Sequence, residues 1–273
     1  MGGLAIVAGR GDLPRLLAED CAHRGLPYRV VVFDGVRLDW LAPHPVIPAS
    51  FEKPGRLFAA MRAAGCTAVT FAGGIVRPAL RPLRFDWTMW RLAPRLVSGI
   101  RSGDDSTLRL VARIFESAGF TVRAPHEILP DLVARAGVLG RVAPSERDRA
   151  DAARGAAIVA ALGVADVGQA AVVGRGICLG LESIQGTDAL LDFVARTGAG
   201  YRPAGAGVLY KAPKPGQDLR LDLPAIGPST VRGAAAAGLA GIAVQAEGVM
   251  ILGYGETVAA ADAAGLFLWG RAP

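Results

Sequence analysis

Histidine and cysteine are scarce in this 273-residue chain, with three of each. His23, His44 and His126 are nowhere paired at metal-ligand spacing, and no GxSxG elbow occurs, which argues against a His-based metal site and a His-driven triad. Cys21, Cys66 and Cys178 are scattered, odd in number and without a CxxC. That pattern argues against structural zinc and fits a reduced compartment. No uninterrupted apolar run reaches about 18 residues, so no membrane-spanning helix is predicted. Residues 4–8 are apolar but too few for a secretory signal, and a Gly-Arg-Gly turn follows them.

Apolar residues make up 52% of the chain, enough for a core that needs no disulfides, and the length suits one large domain or two ordinary ones. The net charge of +6 comes mostly from arginine. It is compatible with an anionic ligand, an anionic membrane surface or nucleic acid, and an Ala/Arg/Gly-rich genome would produce it as well.

Residues 4–8 read as a buried strand, Gly9-Arg10-Gly11 as a turn, and the residues that follow as an amphipathic helix ending at Gly25. Residues 28–33 and 68–72 read as further strands, the latter ending at Gly73-Gly74. Strand–helix alternation predicts a parallel, Rossmann-like sheet. The Gly9–Gly11 turn falls at a strand's carboxyl end, where open sheets place ligands. It is not a dinucleotide fingerprint, because Pro14 stands where GxGxxG needs glycine. Proline in a first helical turn leaves the helix N-terminus available to an anion, so the turn reads as a nucleotide or phosphate contact, with a structural tight turn as the rival.

Residues 77–113 hold eight arginines against three aspartates, with Trp87 and Trp90 inside the run. Such a stretch is either solvated surface or a rest for phospholipid headgroups or an acidic amphiphile. Within it, Gly103-Asp104-Asp105-Ser106 precedes a helical run beginning at Thr107. One of these acids can cap the helix; two in a glycine turn also suit magnesium.

The pattern loosens at 130–144, and Ser145 opens a new helix, so the domains are placed at 1–134 and 135–273. In the second part, strands are expected at 170–173, 177–182, 207–211, 242–245 and 249–252, and helices at 187–196, 230–237 and 257–264. The chain is thus α/β twice over.

Two segments of this half concentrate charge. Residues 182–188 (ESIQGTD) start at a strand end and enter a helix with Thr187 as the expected N-cap, which puts Asp188 in a first turn favourable to negative charge. Residues 207–231 hold Lys211, Lys214, Gln217, Asp218, Arg220 and Asp222 among Pro-Gly, Leu-Pro and Gly-Pro corners. Alternation along a strand through QDLRLDLP would put Asp218, Arg220 and Asp222 on one side. Cations that grip phosphate beside carboxylates that hold a metal or orient water are the inventory of phosphoryl transfer. The same residues also suit a solvated, turn-rich loop with structural ion pairs.

Four segments in order, residues 6–14 (IVAGRGDLP), 103–108 (GDDSTL), 182–191 (ESIQGTDALL) and 211–227 (KAPKPGQDLRLDLPAIG), resemble the LpxI-type UDP-2,3-diacylglucosamine pyrophosphatases of bacterial lipid A synthesis. The departures are slight: Val7 follows Ile6, and Ser183-Ile184-Gln185 leaves no second carboxylate at Gln185. The resemblance implies two α/β domains, the first Rossmann-like, with the ligand in a cleft between them. It implies hydrolysis of UDP-2,3-diacylglucosamine to 2,3-diacylglucosamine 1-phosphate (lipid X) and UMP, with a magnesium requirement.

Among the residues so marked, Asp222, Asp218 and Lys211 are expected to be catalytic. Gly9, Gly11, Leu13, Gly73, Gly74, Glu182, Gly186, Thr187, Asp188, Lys214, Gln217 and Arg220 are expected to meet the substrate. Asp222, Asp188, Asp104 and Asp105 are the expected magnesium ligands. The implied partners are the acylated UDP-sugar and, transiently, the inner-membrane surface, with no nucleic acid; a homodimer is also compatible. The implied location is cytoplasmic, peripheral to the inner membrane. Two rivals stand beside this reading, a non-catalytic nucleotide-binding module and a peripheral lipid-binding protein.

Overall fold

The computed structural model of the chain describes residues 2–74, 81–100, 104–202 and 207–272, without the side chains of 94–100, 104–106 and 199. The chain divides into two compact units. One comprises Met1–Pro130 with Arg220–Asp222, and the other Asp131–Leu219 with Leu223–Pro273.

The first unit is a parallel sheet with helices. It contains β1 (Gly3–Ala8), α1 (Leu13–His23), β2 (Tyr28–Phe33), β3 (Val46–Ala49), α2 (Pro54–Ala63) and β4 (Cys66–Ala72). Then come α3 (Trp87–Ile100), α4 (Asp104–Ser117), β5 (Thr121–Val122) and α5 (Pro125–Ile128). The strand order is β3-β2-β1-β4-β5, with every pair parallel. β1 is buried at every position, as a central strand covered on both faces must be. One face packs Val31, Val69 and Met61 with an aromatic group in which Phe58 and Phe115 meet edge to face, their centroids 5.2 Å apart. The expected Rossmann-like parallel sheet is therefore present.

The second unit contains β6 (Gly137–Val138), α6 (Glu146–Val164), β7 (Ala170–Gly174), β8 (Ile177–Leu181), α7 (Gly186–Arg196) and β9 (Val208–Lys211). It continues with β10 (Ala225–Ile226), α8 (Pro228–Ala236), β11 (Gly241–Gln245), β12 (Met250–Ile251), α9 (Tyr254–Ala263) and β13 (Phe267–Arg271). The main sheet has the order β6-β13-β11-β9-β7-β8. Its β13-β11-β9 centre is parallel and its outer pairings are antiparallel. β10 and β12 form a separate short parallel pair. Residues of α7, α8 and α9 pack with Val172, Leu209 and Ile242 in one core cluster, and Ala152 and Val159 of α6 with Tyr210 and Phe267 in another. Ser145, where the sequence opens a helix, caps α6 with Asp148 in a reciprocal capping box.

Two local expectations fail. The strand expected through residues 217–224 is absent; the chain there is turn and irregular. Leu221 packs instead against the aromatic core of the first unit, and Arg220 pairs with Glu116 of that unit at 3.0 Å. Tertiary burial of Leu221 overrides the alternating pattern, which without a strand partner has no ladder to join. Asp218, Arg220 and Asp222 therefore do not share a strand face. The second failure is Thr187, which lies inside the first turn of α7; Gln185 occupies the N-cap position without a side-chain cap.

Candidate active site

The second unit gathers an acid and a base at one end of its sheet. Lys211 ends β9 and pairs with Ala170, the first residue of β7, while the Ala170 carbonyl accepts the Glu182 N–H just beyond β8 at 2.9 Å. β8 and β9 flank β7 and thus carry Glu182 and Lys211 to the same end of the sheet, although 28 residues of sequence separate them. Each is only 6% exposed, so neither charge is left to water.

Thr187 joins them. Lys211 Nζ donates to Thr187 Oγ1 at 2.6 Å, and that hydroxyl donates to Glu182 Oε1 at 2.9 Å. The direct separation of Nζ and Oε1 is 3.8 Å. The Gln169 N–H reaches the other Glu182 oxygen at 3.3 Å. Buried charges persist only when paired and hydrogen-bonded, and this assembly supplies both conditions. The hydroxyl reaches its place because α7 begins at Gly186, whose φ of +86° suits glycine. Asp188 lies in the same first turn but is exposed.

Beyond Lys211 the chain makes a tight turn. Lys214 N–H donates to Gln217 Oε1 at 2.9 Å, and Gln217 N–H donates back to the Lys214 carbonyl at 3.1 Å. Lys214 Nζ meets Asp166 at 2.6 Å. Asp218 is half-buried and Asp222 exposed. Glu182, Thr187 and Lys211 are therefore brought together, and Lys214 and Gln217 build the adjoining turn, whereas Arg220 and Asp222 belong with the first unit.

In the first unit the two glycine turns meet at the carboxyl ends of β1 and β4, the point where strand order reverses. Arg10 N–H donates to the Gly74 carbonyl at 2.8 Å, Gly74 N–H to the Arg10 carbonyl at 3.0 Å, and Gly9 N–H to the Ala72 carbonyl at 2.7 Å. A Cβ on Gly9 would lie 2.6 Å from the Gly74 oxygen, and one on Gly73, where φ is +82°, 2.3 Å from the Arg10 oxygen. The backbones touch, so no side chain fits. Gly11 and Gly74 are exposed, while Leu13, the first residue of α1, is buried. A groove along β3 and the start of α2, lined by Asp34, Pro48, Ser50, Lys53 and Arg56, contains none of these residues.

Among the described residues no group of three or more His, Cys, Asp or Glu side chains is placed to hold a metal. Glu182 already serves Thr187, Gln169 and Lys211. The side chains of Asp104 and Asp105, and all of Gly103, lie outside the described residues. The described donors thus do not fit a magnesium cage made by protein alone. Thiol chemistry is closed at two of the three cysteines: burial pushes the Cys21 thiol up to about 11 and the Cys66 thiol upward.

Sequence reasoning missed the partners. Gln169, Asp166 and Glu116 carry no motif; they lie 13, 48 and 104 residues from the groups they serve. Only the fold reveals them. Gln169 also keeps its side-chain oxygen buried without a hydrogen-bond partner among the described residues.

Comparison with known proteins covers both units. Residues 3–132 match the LpxI N-terminal domain and residues 135–269 the LpxI C-terminal domain. The chain is also 37% identical over 273 residues to a protein of Caulobacter vibrioides named UDP-2,3-diacylglucosamine pyrophosphatase LpxI, covering 99% of this chain and 98% of that one. With both domain models matched in order and a relative aligned end to end, the chain belongs to the LpxI family.

Proposed function

We propose that the chain hydrolyses the pyrophosphate bond of UDP-2,3-diacylglucosamine, giving 2,3-diacylglucosamine 1-phosphate and UMP. The observation that carries this reading is the end-to-end match to a relative named for that activity. The geometry supports it with an exposed glycine turn at a sheet switch point in the first unit and, in the second, the buried Lys211–Thr187–Glu182 chain with Lys214 in the adjoining turn.

In this proposal water attacks the phosphorus nearer the sugar. A new P–O bond forms there, the bond from that phosphorus to the bridging oxygen breaks, and UMP leaves with the bridging oxygen. Asp222, exposed and acceptor-only when ionised, orients the water and receives its proton. Asp218 is assigned an assisting role in the same step. Lys214 and Arg220 exchange their carboxylate partners, Asp166 and Glu116, for phosphate oxygens. Lys211 holds Thr187 and Glu182 in place and supplies positive potential from a buried site. Gly11, Gly73 and Gly74 expose turn backbone to the nucleotide, and the buried Gly9 lets the two turns meet beneath it.

The magnesium requirement belongs to this proposal too. Magnesium retains its waters and is commonly held by substrate phosphates with one or two carboxylates. The ion supplies charge neutralisation on the diphosphate when bound. Asp188 and Asp222, both exposed, are the carboxylates assigned to the ion in this proposal. The acylated substrate places the reaction at the cytosolic face of the inner membrane.

Reaction in ¹⁸O-labelled water tests the assignment. The label is expected in the sugar 1-phosphate and not in UMP, with activity abolished by chelator. Label in UMP would reverse the site of attack, and binding of UDP without any product would leave the chain a nucleotide-binding module.

A further inference from the structure

One part of the first unit holds large apolar side chains out in water on a backbone that is tied down. Leu83 is 103% exposed, Trp87 77% and Trp90 54%. Scattered exposed hydrophobics are ordinary, but these three fall within eight residues of one another and are interleaved with exposed Arg81, Arg84 and Arg91.

The backbone that presents them is fixed at several points. Residues Pro82–Arg84 form a single 3₁₀ turn. The buried Glu52 accepts the Arg81 N–H on its carboxylate, and its own carbonyl accepts the Asp86 N–H at 3.0 Å. Asp86 then receives Gly55 N–H at 2.8 Å on one oxygen and Met89 N–H at 2.7 Å on the other, so one side chain fastens the starts of α2 and α3. Phe85 meets Trp90 edge to face at 5.3 Å. Leu83 is therefore displayed by a held turn.

On α3, Trp87, Trp90 and Arg91 stand at positions i, i+3 and i+4, which share a face, while Met89 turns inward at 3% exposure. The charge of the patch is one-sided. Asp86 is the only acid among residues 81–91 and spends both oxygens on backbone N–H groups. Arg84 lies near the Glu52 carboxylate, but Glu52 is itself buried.

We propose that the surface formed by Leu83, Trp87, Trp90, Arg81, Arg84 and Arg91 docks on an anionic phospholipid bilayer. Leucine and tryptophan at the interface with arginine at headgroup level is the composition of a membrane-surface contact. The net positive charge of the patch selects a bilayer bearing anionic lipid. Each arginine at such a surface is worth about fivefold in partitioning. Docking here holds the enzyme where an acylated substrate is dissolved, and so rests on the placement of the reaction at a membrane. Its test uses no nucleotide, so hydrolysis and docking fail separately.

The full chain is floated with vesicles of phosphatidylcholine alone and with added phosphatidylglycerol, while tryptophan emission is recorded. Binding and a blue shift are expected only with the anionic lipid, weakening as salt is raised. Leu83→Asp with Trp87→Ser is expected to lower partitioning more than tenfold, and Arg91→Gln about fivefold. Arg91 is exposed and so serves as the second variant should the double substitution disturb folding. No binding to anionic vesicles, equal binding to neutral ones, or binding undiminished in both variants overturns the proposal. A dimer in solution that Leu83→Asp dissolves, without vesicle binding, also overturns it.

Discussion

Lys211 and Glu182 are 3.8 Å apart and buried, and the Thr187 hydroxyl sits in hydrogen-bond contact with both. The threonine converts two charges at ion-pair distance into a continuous hydrogen-bonded chain. Thr187→Val removes that link at nearly constant volume and leaves the charges buried with fewer partners. A loss of about 2 kcal/mol in unfolding free energy is expected, with Thr187→Ser close to the wild-type value. Urea unfolding midpoints of the three proteins check this. Lys211→Met, which strands Glu182, is expected to cost about 3–5 kcal/mol.

Asp222 is exposed, so its replacement tests chemistry with little disturbance of packing. Asp222→Asn is expected to lower kcat by roughly a hundredfold, an effect of about 3 kcal/mol on the barrier, with KM nearly unchanged. Steady-state rates on the acylated UDP-sugar are the measurement. An unchanged kcat removes Asp222 from the catalytic role.

Gly73 is a point where fold and ligand site share one constraint. Alanine there places a Cβ 2.3 Å from the Arg10 carbonyl oxygen in a left-handed backbone conformation. Gly73→Ala is expected to cost about 1–3 kcal/mol and to weaken UMP binding, because the two turns must part. Thermal unfolding and nucleotide titration read the two effects separately.

Thr70 predicts a change of the opposite sign. Its side chain is fully buried in β4, and its hydroxyl has no hydrogen-bond partner among the described residues. Thr70→Val keeps the shape and removes the unsatisfied group, so a gain of about 1 kcal/mol is expected in the urea midpoint.

Glu52 sets a pH dependence. The Ser50 hydroxyl donates to its carboxylate and, with the backbone N–H groups and nearby Arg84, holds its pKa below the ordinary carboxylate value. A folded pKa below the unfolded one means that the contribution to stability is complete above the unfolded value of 4.5 and is lost as pH falls through the folded value. Unfolding free energy should therefore fall on acidification from that point. In Glu52→Gln the corresponding part of the slope should vanish.

The strands that the sequence disclosed are those with uninterrupted apolar runs and glycine at their ends. The expected strand at 28–33 coincides with Tyr28–Phe33, and that at 68–72 lies within Cys66–Ala72. β3 went unread because Pro48 interrupts a four-residue strand, and β13 because Gly270 stands inside it. Gly270 is required there: a Cβ would come 1.8 Å from the Arg135 carbonyl, a contact invisible at 135 residues' separation. At the site, composition showed which residues carry charge but not how they pair. Thr187 looked like a helix cap from its place before Asp188, yet the buried lysine draws its hydroxyl elsewhere. QDLRLDLP looked like a strand from its alternation, yet Leu221 had a core to enter.

That last departure bears on synthesis of the protein. Arg220–Asp222 complete a unit whose other residues end at Pro130. A nascent chain stopped at residue 134 already contains both glycine turns, but it lacks Leu221 for the aromatic core and Arg220 for Glu116. The ribosome must add the four strands β6 to β9 before the residues that complete the first unit emerge, so closure of the first unit waits on chain that belongs to the second. An excised fragment 1–134 would carry an open seam where Leu221 belongs. Domain-by-domain folding during translation is the rule for such chains, yet the first unit here is completed by three residues from beyond Leu219.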